Sequence, residues 1–270
     1  MQGEESTGGA FDDGIGEAQD KVSGACAETR LLDVCLLAGK VMLQNGAETF
    51  RVEDTMVRIA QASGEKAQSF VTPTGIIFSV ESMDTTRVIR VRERRIDLGK
   101  ITRANDISRN FCNGQISLQT AYNQLSEVER TGHSYPFVLQ VVSAAVASGC
   151  FLIMFKGVWS DFLNALVCGG IGFAVSFFLH RFTRVKFIAE FCAALTVGLI
   201  TILLMKIGLG HMADKIEIAS VMPLVPGMLI ASAVRDLMAG DLVSGTTKGI
   251  EALLTAFAIG GGIAATLALL

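Results

Sequence analysis

The chain of 270 residues has little of what soluble catalytic or metal-binding sites are built from. It contains three histidines, one tryptophan and two tyrosines, and its six cysteines form no Cys-x-x-Cys pair. No histidine stands at metal-ligand spacing from a cysteine. We therefore expect no structural disulfide, no metal centre and no cofactor. The histidines His133, His180 and His211 are scattered through the linker and loops and are expected to be solvated or interfacial residues, not ligands.

The first twenty residues lack lysine, arginine and any apolar run, but they contain six acidic residues. A signal peptide needs a basic start followed by an apolar segment, so none is predicted here. Segments of low hydrophobicity and one-sided charge cannot bury enough apolar surface to fold. We expect a disordered acidic tail over residues 1–22.

Charged residues are scarce from residue 136 onward, where apolar runs of membrane-spanning length follow one another. Residues 136–155 are twenty positions without a charge. Because hydrocarbon leaves backbone groups without water, such runs must form helices that satisfy their own hydrogen bonds. The sequence predicts an all-α membrane bundle with five transmembrane helices, over about 136–155, 162–180, 187–205, 218–234 and 252–270.

The basic residues between the spans predict the orientation of the bundle. The loop after the second span carries Arg181, Arg184 and Lys186, and the predicted 235–251 connection after the fourth carries Arg235 and Lys248. The alternate loops carry Lys156, Lys206 and Lys215. Loops rich in arginine and lysine remain in the cytosol. We therefore expect a multi-pass protein of the inner membrane, with its N-terminus in the cytoplasm and its C-terminus outside.

Residues 23–135 have the composition of a globular domain that mixes helices and strands. Apolar residues first follow a helical period, then alternate as in strands, then return to the helical period. We expect helices over 28–44, 48–62, 98–112 and 118–129, and strands over 68–72, 75–81 and 86–94. This order predicts a cytosolic α+β domain in which helices flank a small antiparallel sheet.

Basic residues accumulate on the third predicted strand and beyond it: Arg90, Arg92, Arg94, Lys100, Arg103 and Arg109. One interpretation is a solvated face beside the anionic cytosolic leaflet. The other is a surface for an anionic ligand or a protein partner. Nucleic acid is not expected as a partner, because no stacking aromatic residues alternate with these arginines.

The fourth predicted span is interrupted by Pro223, Pro226 and Gly227. Proline removes a backbone donor and breaks the helical ladder. In transporters such a break leaves the positive end of a half-helix aimed at an anionic substrate near mid-membrane. A proline kink that serves only helix packing is the alternative.

Two further groups of ionisable residues attract attention. Glu190 lies within the third predicted span, where an acid facing lipid is costly, so it should face the bundle interior and could carry a proton. Arg235 and Asp236 lie at the inner end of the fourth span, where a mutual interfacial pair is the simpler interpretation. In the cytosolic half, polar residues cluster at a helix junction from Asn45 to Glu53, and capping and ion pairing explain them without a functional role.

Several motifs taken together resemble the bacterial threonine/serine exporter family, in its shorter YjjP-type form. The resemblance covers about residue 25 to the end, and the proline-glycine to Gly-Asp block is its specific part. The motifs are Asn45-Gly46-Ala47-Glu48, Thr74-Gly75, Arg103-x-Asn105-x-x-Ser108-Arg109, Tyr135-Pro136, Leu224-Val225-Pro226-Gly227, Arg235-Asp236-Leu237, Gly240-Asp241 and Gly245.

The resemblance implies an exporter of small amino acids that is driven by the proton gradient and is not an enzyme. Full-length relatives carry one cytosolic domain and about ten spans, so this chain resembles half of a split system. A separate small membrane protein of the same family would supply five more helices, and a higher oligomer is an open alternative. Some split relatives are associated with succinate export, so dicarboxylate export is the second interpretation.

For an exporter of this kind, the residues discussed above suggest roles that we state as hypotheses. Pro223, Pro226 and Gly227 would bind the substrate through the backbone, and Glu190 would couple the proton. Arg235, Asp236 and Asp241 would form an inner gate. The motif residues of the cytosolic domain are Asn45, Gly46, Glu48, Arg51, Arg103 and Asn105. Two alternatives from other classes remain: a cytosolic sensor or enzyme domain that the helices merely anchor, and a regulatory subunit that only stabilises its partner.

Overall fold

The computed structural model describes residues 30–83, 85–132, 135–183 and 186–268. Within these ranges the chain divides into two compact units. The N-terminal unit combines the residues up to 132 with the short segment Arg235–Ser244. The helical unit contains the residues from 135 to 234 and from 245 onward. The predicted acidic tail over 1–22 lies outside the described residues, as do Cys26, His133 and Arg184.

The N-terminal unit contains four helices at positions close to those that the sequence predicts. They are α1 at residues 30–44, α2 at Thr49–Ala62, α3 at Leu98–Cys112 and α4 at Leu118–Arg130. Side chains cap two of them, because Asp97 accepts from the Lys100 amide and Ser117 accepts from the Thr120 amide. Such caps satisfy amides that the first turn of a helix leaves without a partner.

A three-stranded antiparallel sheet lies between the two helix pairs in sequence. Its strands are β1 at Ala67–Thr72, β2 at Gly75–Val80 and β3 at Thr85–Arg90, in the order β1-β2-β3. The inner face of β2 buries Ile76, Phe78 and Val80, which pack with Met42, Met56 and Ile59 of the helices in one core.

The third strand is shorter than predicted, since it ends at Arg90 and not at Arg94. The physical reason is a change of hydrogen-bond partner. The Val91 amide still bonds the Thr74 carbonyl, but the amides of Arg95 and Asp97 bond the carbonyls of Gln44 and Asn45. The segment after β3 therefore satisfies the carbonyls at the end of α1 and leaves the sheet.

Apolar helices, most of them long, build the rest of the chain, and two of them share the segment Arg235–Ser244 with the N-terminal unit. They are α5 at Phe137–Met154, α6 at Phe162–Thr183, α7 at Lys186–Lys206, α8 at Ala213–Val221, α9 at Gly227–Ala239 and α10 at Leu242–Leu267. Four of the described helices are long and apolar enough to cross a membrane, and the broken pair of α8 and α9 gives up to five.

The predicted connection over 235–251 is wrong, because α9 continues to Ala239 and α10 already begins at Leu242. Only Gly240 and Asp241 separate these helices. The charges of Lys248 and Glu251 suggested a loop, but both residues lie within α10. Charge marks the depth at which a membrane helix leaves hydrocarbon and does not mark the end of the helix.

Small residues allow the helices of this unit to approach closely. A Cβ at Gly172 would lie 2.5 Å from Val197 of α7, and one at Gly262 would lie 2.5 Å from the Phe191 carbonyl oxygen. Real Cβ atoms do not approach other atoms so closely, so α6 and α10 need glycine where they meet α7. Close contact of this kind replaces the hydrophobic effect as the force between helices in lipid.

Candidate functional site

The turn between α1 and α2 is set by Gly46, which has a φ of 91°. Its amide bonds the Leu43 carbonyl, and the next amide, of Ala47, bonds the Met42 carbonyl. This pair of bonds is a Schellman motif, which ends a helix at a residue that favours glycine. Asn45 adds a side-chain bond of 2.6 Å to the Val41 carbonyl. The motif places Glu48 directly before the first residue of α2.

The turn between α9 and α10 repeats this motif. Gly240 has a φ of 93°, its amide bonds the Leu237 carbonyl, and the Asp241 amide bonds the Asp236 carbonyl at 2.9 Å. The Gly240-Asp241 motif therefore needs glycine at position 240, since the left-handed backbone conformation is costly for other residues.

These two turns meet within the N-terminal unit, at the first turn of α2. Asp236 is fully buried, and its two carboxylate oxygens accept from the Thr49 amide at 3.0 Å and the Thr49 hydroxyl at 3.1 Å. Glu48, in the N-cap position, makes no capping bond with its side chain. An acid 187 positions away therefore caps α2, where the helix dipole also favours negative charge.

Glu48 instead binds arginine. Arg235 Nη1 lies 2.5 Å from Glu48 Oε1, and Arg51 Nε lies 3.4 Å from Glu48 Oε2. Burial opposes ionisation of Glu48, but the Arg235 hydrogen bond and the charges of both arginines hold its pKa below the usual value. Because the Arg235 side chain is largely exposed, this ion pair stabilises the unit only modestly.

Glu53, one turn further along α2, belongs to the same group. Its Oε1 accepts from the Val71 amide at 2.7 Å, which ties α2 to β1. Burial raises the pKa of Glu53, the Val71 bond opposes the rise, and the negative charges of Asp241 and Asp236 add to it. We call the set Glu48, Arg51, Glu53, Arg235, Asp236 and Asp241 the junction cluster.

The structure therefore brings together most of the motif residues that the sequence singled out. Asn45 and Gly46 shape the turn, and Glu48, Arg51, Arg235, Asp236 and Asp241 form the cluster with Glu53. Two of the predicted residues, Arg103 and Asn105, lie elsewhere, on α3. Arg103 lines a shallow groove of about 320 Å³ with Asp106 and Glu127.

The predicted interruption of the fourth span is present. After α8 the chain forms a 3-10 turn at Met222–Leu224, and α9 then leaves at an angle of 62°. The first α-helical bond of α9 runs from the Ile230 amide to the Pro226 carbonyl at 3.0 Å. By helix geometry the amides of Met228 and Leu229 have no acceptor within α9. No described atom lies within 4 Å of a Cβ built on Gly227, so the backbone is open there.

Glu190 lies in the interior of the helical unit, with 6% of its surface exposed. Its Oε1 lies 3.2 Å from His180 Nε2 and 3.4 Å from Ser176 Oγ, both on α6. Among the described residues, nothing bonds its buried Oε2. His180, expected to be a solvated or interfacial residue, is partly exposed and lies in the last turns of α6, at the end of the predicted second span. The four-residue spacing of Ser176 and His180 was the signal that they share one helix face.

Asp161 lies at the opposite end of the same bundle, and the sequence reasoning missed it. It is fully buried and accepts from the amides of His211 and Met212, at 3.0 Å and 2.9 Å. His211 Nδ1 lies 3.2 Å from Asp161 Oδ1. These bonds fasten the start of α6 to the loop before α8. In the described part of the chain, no group of three or more His, Cys, Asp or Glu side chains could hold a metal ion.

Comparison with known proteins gives the family. A family model described as "Putative threonine/serine exporter" matches residues 33–270, and the chain belongs to this family. A Klebsiella aerogenes protein named "Probable succinate transporter subunit YjjP" is 25% identical over 85% of this chain and 89% of its own length. The Escherichia coli K12 protein of the same name is 23% identical over 85% of this chain and 90% of its own length. No solved structure matches the chain.

Proposed function

We propose that this member of the threonine/serine exporter family is one membrane subunit of a proton-coupled secondary exporter of small amino acids, with threonine and serine as first candidates. The observation that carries the proposal is the helix broken at Pro226, because an interruption within an apolar helix pair exposes backbone groups that hydrocarbon cannot satisfy. A bound solute in a polar cavity can satisfy them.

The substrate carboxylate would bind at the start of α9. The amides of Met228 and Leu229 point out of the first turn, and the positive end of the helix dipole lies there. Pro223 and Pro226 keep the helix from closing over this point, and Gly227 leaves space for the ligand. This assigns the substrate a carboxylate, which threonine, serine and succinate all have.

The junction cluster would act as the inner gate. Helix α9 is shared, since its residues up to Val234 belong to the helical unit and those from Arg235 belong to the N-terminal unit. Asp236 and Arg235 hold the end of α9 to the start of α2 through Thr49 and Glu48. A shift of α2 would therefore move the end of α9 that the cluster holds.

Glu190 and His180 would carry the proton. Glu190 is buried with one oxygen that the described residues leave unbonded, so a proton placed on that oxygen would break no hydrogen bond there. His180, at 3.2 Å, can pass a proton to it. The driving force would then be the proton gradient, with no nucleotide involved.

Succinate is the second candidate substrate, and the names of the two curated relatives are the observation that favours it. A dicarboxylate would need a second cationic contact besides the start of α9. The word "subunit" in those names also supports a partner, which we propose is a small five-helix membrane protein of the same family. The N-terminal unit would lie in the cytoplasm, against the inner membrane.

Transport in reconstituted vesicles tests the proposal. The full chain and its partner are placed in vesicles loaded with labelled threonine, serine or succinate, and release is followed after a pH step. We expect at least tenfold slower release for Pro226→Ala and for Gly227→Ala. Gly227→Ala adds a methyl group where no described atom lies within 4 Å, so the helix itself should tolerate it.

Gly260→Ala is the matched control, because Gly260 on α10 also has open space around its Cβ position. It should transport like the native chain. Native rates for Gly227→Ala and Pro226→Ala would remove the substrate site from the break. Release by the partner alone would instead indicate a regulatory subunit, and release without a pH step would exclude proton coupling.

A further inference from the structure

The outer face of the sheet in the N-terminal unit bears an apolar stripe. Phe70 on β1 pairs with Ile77 on β2, which pairs with Val88 on β3, so the three side chains form one row across the strands. They are 55%, 41% and 70% exposed. The buried residues of β2 lie on the opposite face, against the core. Because side chains alternate between the two faces of a sheet, this row lies on the outer face, and the described residues leave it uncovered.

Arginines continue the stripe along β3, while Asp33 and Glu129 lie in the groove beside Val88 and Glu53 bonds the Val71 amide at the edge of β1. Arg90 follows Val88 on the same face of β3. The Val91 amide continues the pairing with Thr74, so Arg92 keeps to the same side and is also exposed. The three strands contain no acidic residue. The remaining outward side chains are small or uncharged and include Gln68, Ser79 and Thr86.

We propose that this face, composed of Phe70, Ile77, Val88, Arg90 and Arg92, rests on the anionic surface of the lipid bilayer. Exposed apolar patches with a polar rim mark surfaces that bind proteins or membranes. The arginines select negatively charged headgroups, and the row of Phe70, Ile77 and Val88 reaches the boundary between headgroups and acyl chains.

Chain connectivity favours lipid over a protein partner. Helix α4 ends at Arg130 and the apolar helix α5 begins at Phe137. The intervening residues 131–136 can span no more than about 20 Å. A domain on so short a tether meets the leaflet at a high effective concentration, so weak contacts are enough to hold it. The stripe is also a single row on an open sheet and not a groove for a helix.

The inference rests on the membrane placement of the helical unit and not on the transported substrate. Photocrosslinking in the full chain tests it. Benzoylphenylalanine is introduced at Val88, and at the exposed Asn123 of α4 as control, in native membranes and in vesicles with and without phosphatidylglycerol. After illumination, the partners of the crosslinks are identified by mass spectrometry.

We expect lipid adducts at Val88 in phosphatidylglycerol vesicles at several times the yield at Asn123. Arg90→Gln and Arg92→Gln should each lower this yield, by roughly fivefold at low salt. Yields at Val88 no higher than at Asn123 would overturn the proposal. So would crosslinks to a protein: a partner subunit, a second copy of the chain, or residues 1–29 of the same chain. Equal yields in neutral vesicles would overturn the role of the arginines.

Failure of this test would leave the exporter proposal intact, because transport at the α9 break needs no lipid contact by the sheet. Failure of the transport test would likewise leave the lipid contact standing. Unchanged protection of the buried Cys35 thiol against alkylation shows that the variants keep their fold.

Discussion

Two carboxylates at opposite ends of the helical unit are equally hidden but differently bonded. Asp161 is 0% exposed, and the amides of His211 and Met212 bond its oxygens. Glu190 is 6% exposed, and its Oε2 has no partner among the described residues. Burial of a charge is costly in both places, but only Asp161 recovers that cost through backbone donors.

The difference predicts that Asp161 is a structural acid and that Glu190 takes part in transport. A carboxylate saturated by amides has nothing to gain from a proton, since protonation would break its bonds. A carboxylate with a bare oxygen has room for a proton on that oxygen without the loss of a hydrogen bond. Asp236, in the N-terminal unit, belongs with Asp161, because both its oxygens accept from Thr49. The comparison therefore predicts opposite outcomes for the two kinds of acid.

The largest effect is expected for Asp161→Ala. It leaves a buried cavity and removes the charged acceptor of the His211 and Met212 amides, at a cost of about 3 kcal/mol in unfolding free energy. The measurement is alkylation of the buried Cys168 in increasing denaturant, quantified by mass spectrometry. Asp161→Asn keeps one acceptor and should lose roughly half as much. A loss below about 1 kcal/mol for Asp161→Ala would contradict the structural role.

Asp236→Ala comes next, with an expected loss of about 2 kcal/mol from the N-terminal unit, because α2 loses its cap. Here the readout is alkylation of Cys35, whose pKa is raised to about 12 by burial and by Cys112, so that the folded thiol is unreactive. Thr49→Val retains the amide bond and should lose less than Asp236→Ala. If Cys168, in the helical unit, became reactive at a lower denaturant concentration than Cys35, the Asp236→Ala variant would have destabilised the helical unit, contrary to the prediction.

Glu190→Gln should separate function from stability. Glutamine keeps an acceptor for His180 and Ser176, so the unfolding free energy should change by less than about 1 kcal/mol. Proton-driven release should fall at least tenfold. Glu251→Gln is the control, because Glu251 pairs with Lys186 at 3.3 Å at the same end of the bundle. Equal transport by both variants would make Glu190 another structural acid.

The smallest effects are expected for Glu53→Gln and Glu48→Gln. The two variants should change the unfolding free energy in opposite directions, and both changes depend on pH. Burial and two neighbouring acids raise the pKa of Glu53, so its ionisation lowers stability as the pH rises above about 4.5. Glu53→Gln should therefore stabilise the N-terminal unit at pH 7 by less than about 1 kcal/mol, with no gain at pH 4.

The pKa of Glu48 is lowered, so its ionised carboxylate stabilises the N-terminal unit above about pH 4.5. This stabilisation is lost as the pH falls through the lowered pKa. Glu48→Gln should thus destabilise at pH 7 by about 1 kcal/mol or less. Unfolding curves of both variants at pH 4 and pH 7, read by hydrogen exchange of peptides from the N-terminal unit, check the two signs. Shifts in the same direction would contradict the assigned environments.

Much of the fold could be predicted, because its signals are local. The alternation of Ile76, Phe78 and Val80 with less apolar residues predicts a strand, and Pro226-Gly227 predicts a break within an apolar helix. The length of the apolar runs predicts the membrane-spanning helices. The same local reasoning failed at Lys248 and Glu251, where charge was taken for a loop, and at Arg94, where β-propensity extended beyond the last available partner strand.

The candidate site divides in the same way. Asn45-Gly46 and Gly240-Asp241 are recognisable as helix ends, since a glycine after a helical period is a C-cap signal. Nothing in either motif states that Asp236 caps α2. His180 and Glu190 stand on different helices, and no spacing rule joins residues of different helices.

By itself the sequence determined where this protein is apolar, where most helices of the N-terminal unit end, and that one helix is interrupted, because each of these depends on neighbours within a few residues. Only the tertiary structure decided which acid meets which donor. It placed Asp236 on Thr49, Glu190 beside His180, and Asp161 on the loop before α8. The physical reason is that a buried carboxylate is defined by its bonding partners, and packing alone brings those partners within 3 Å from distant parts of the chain.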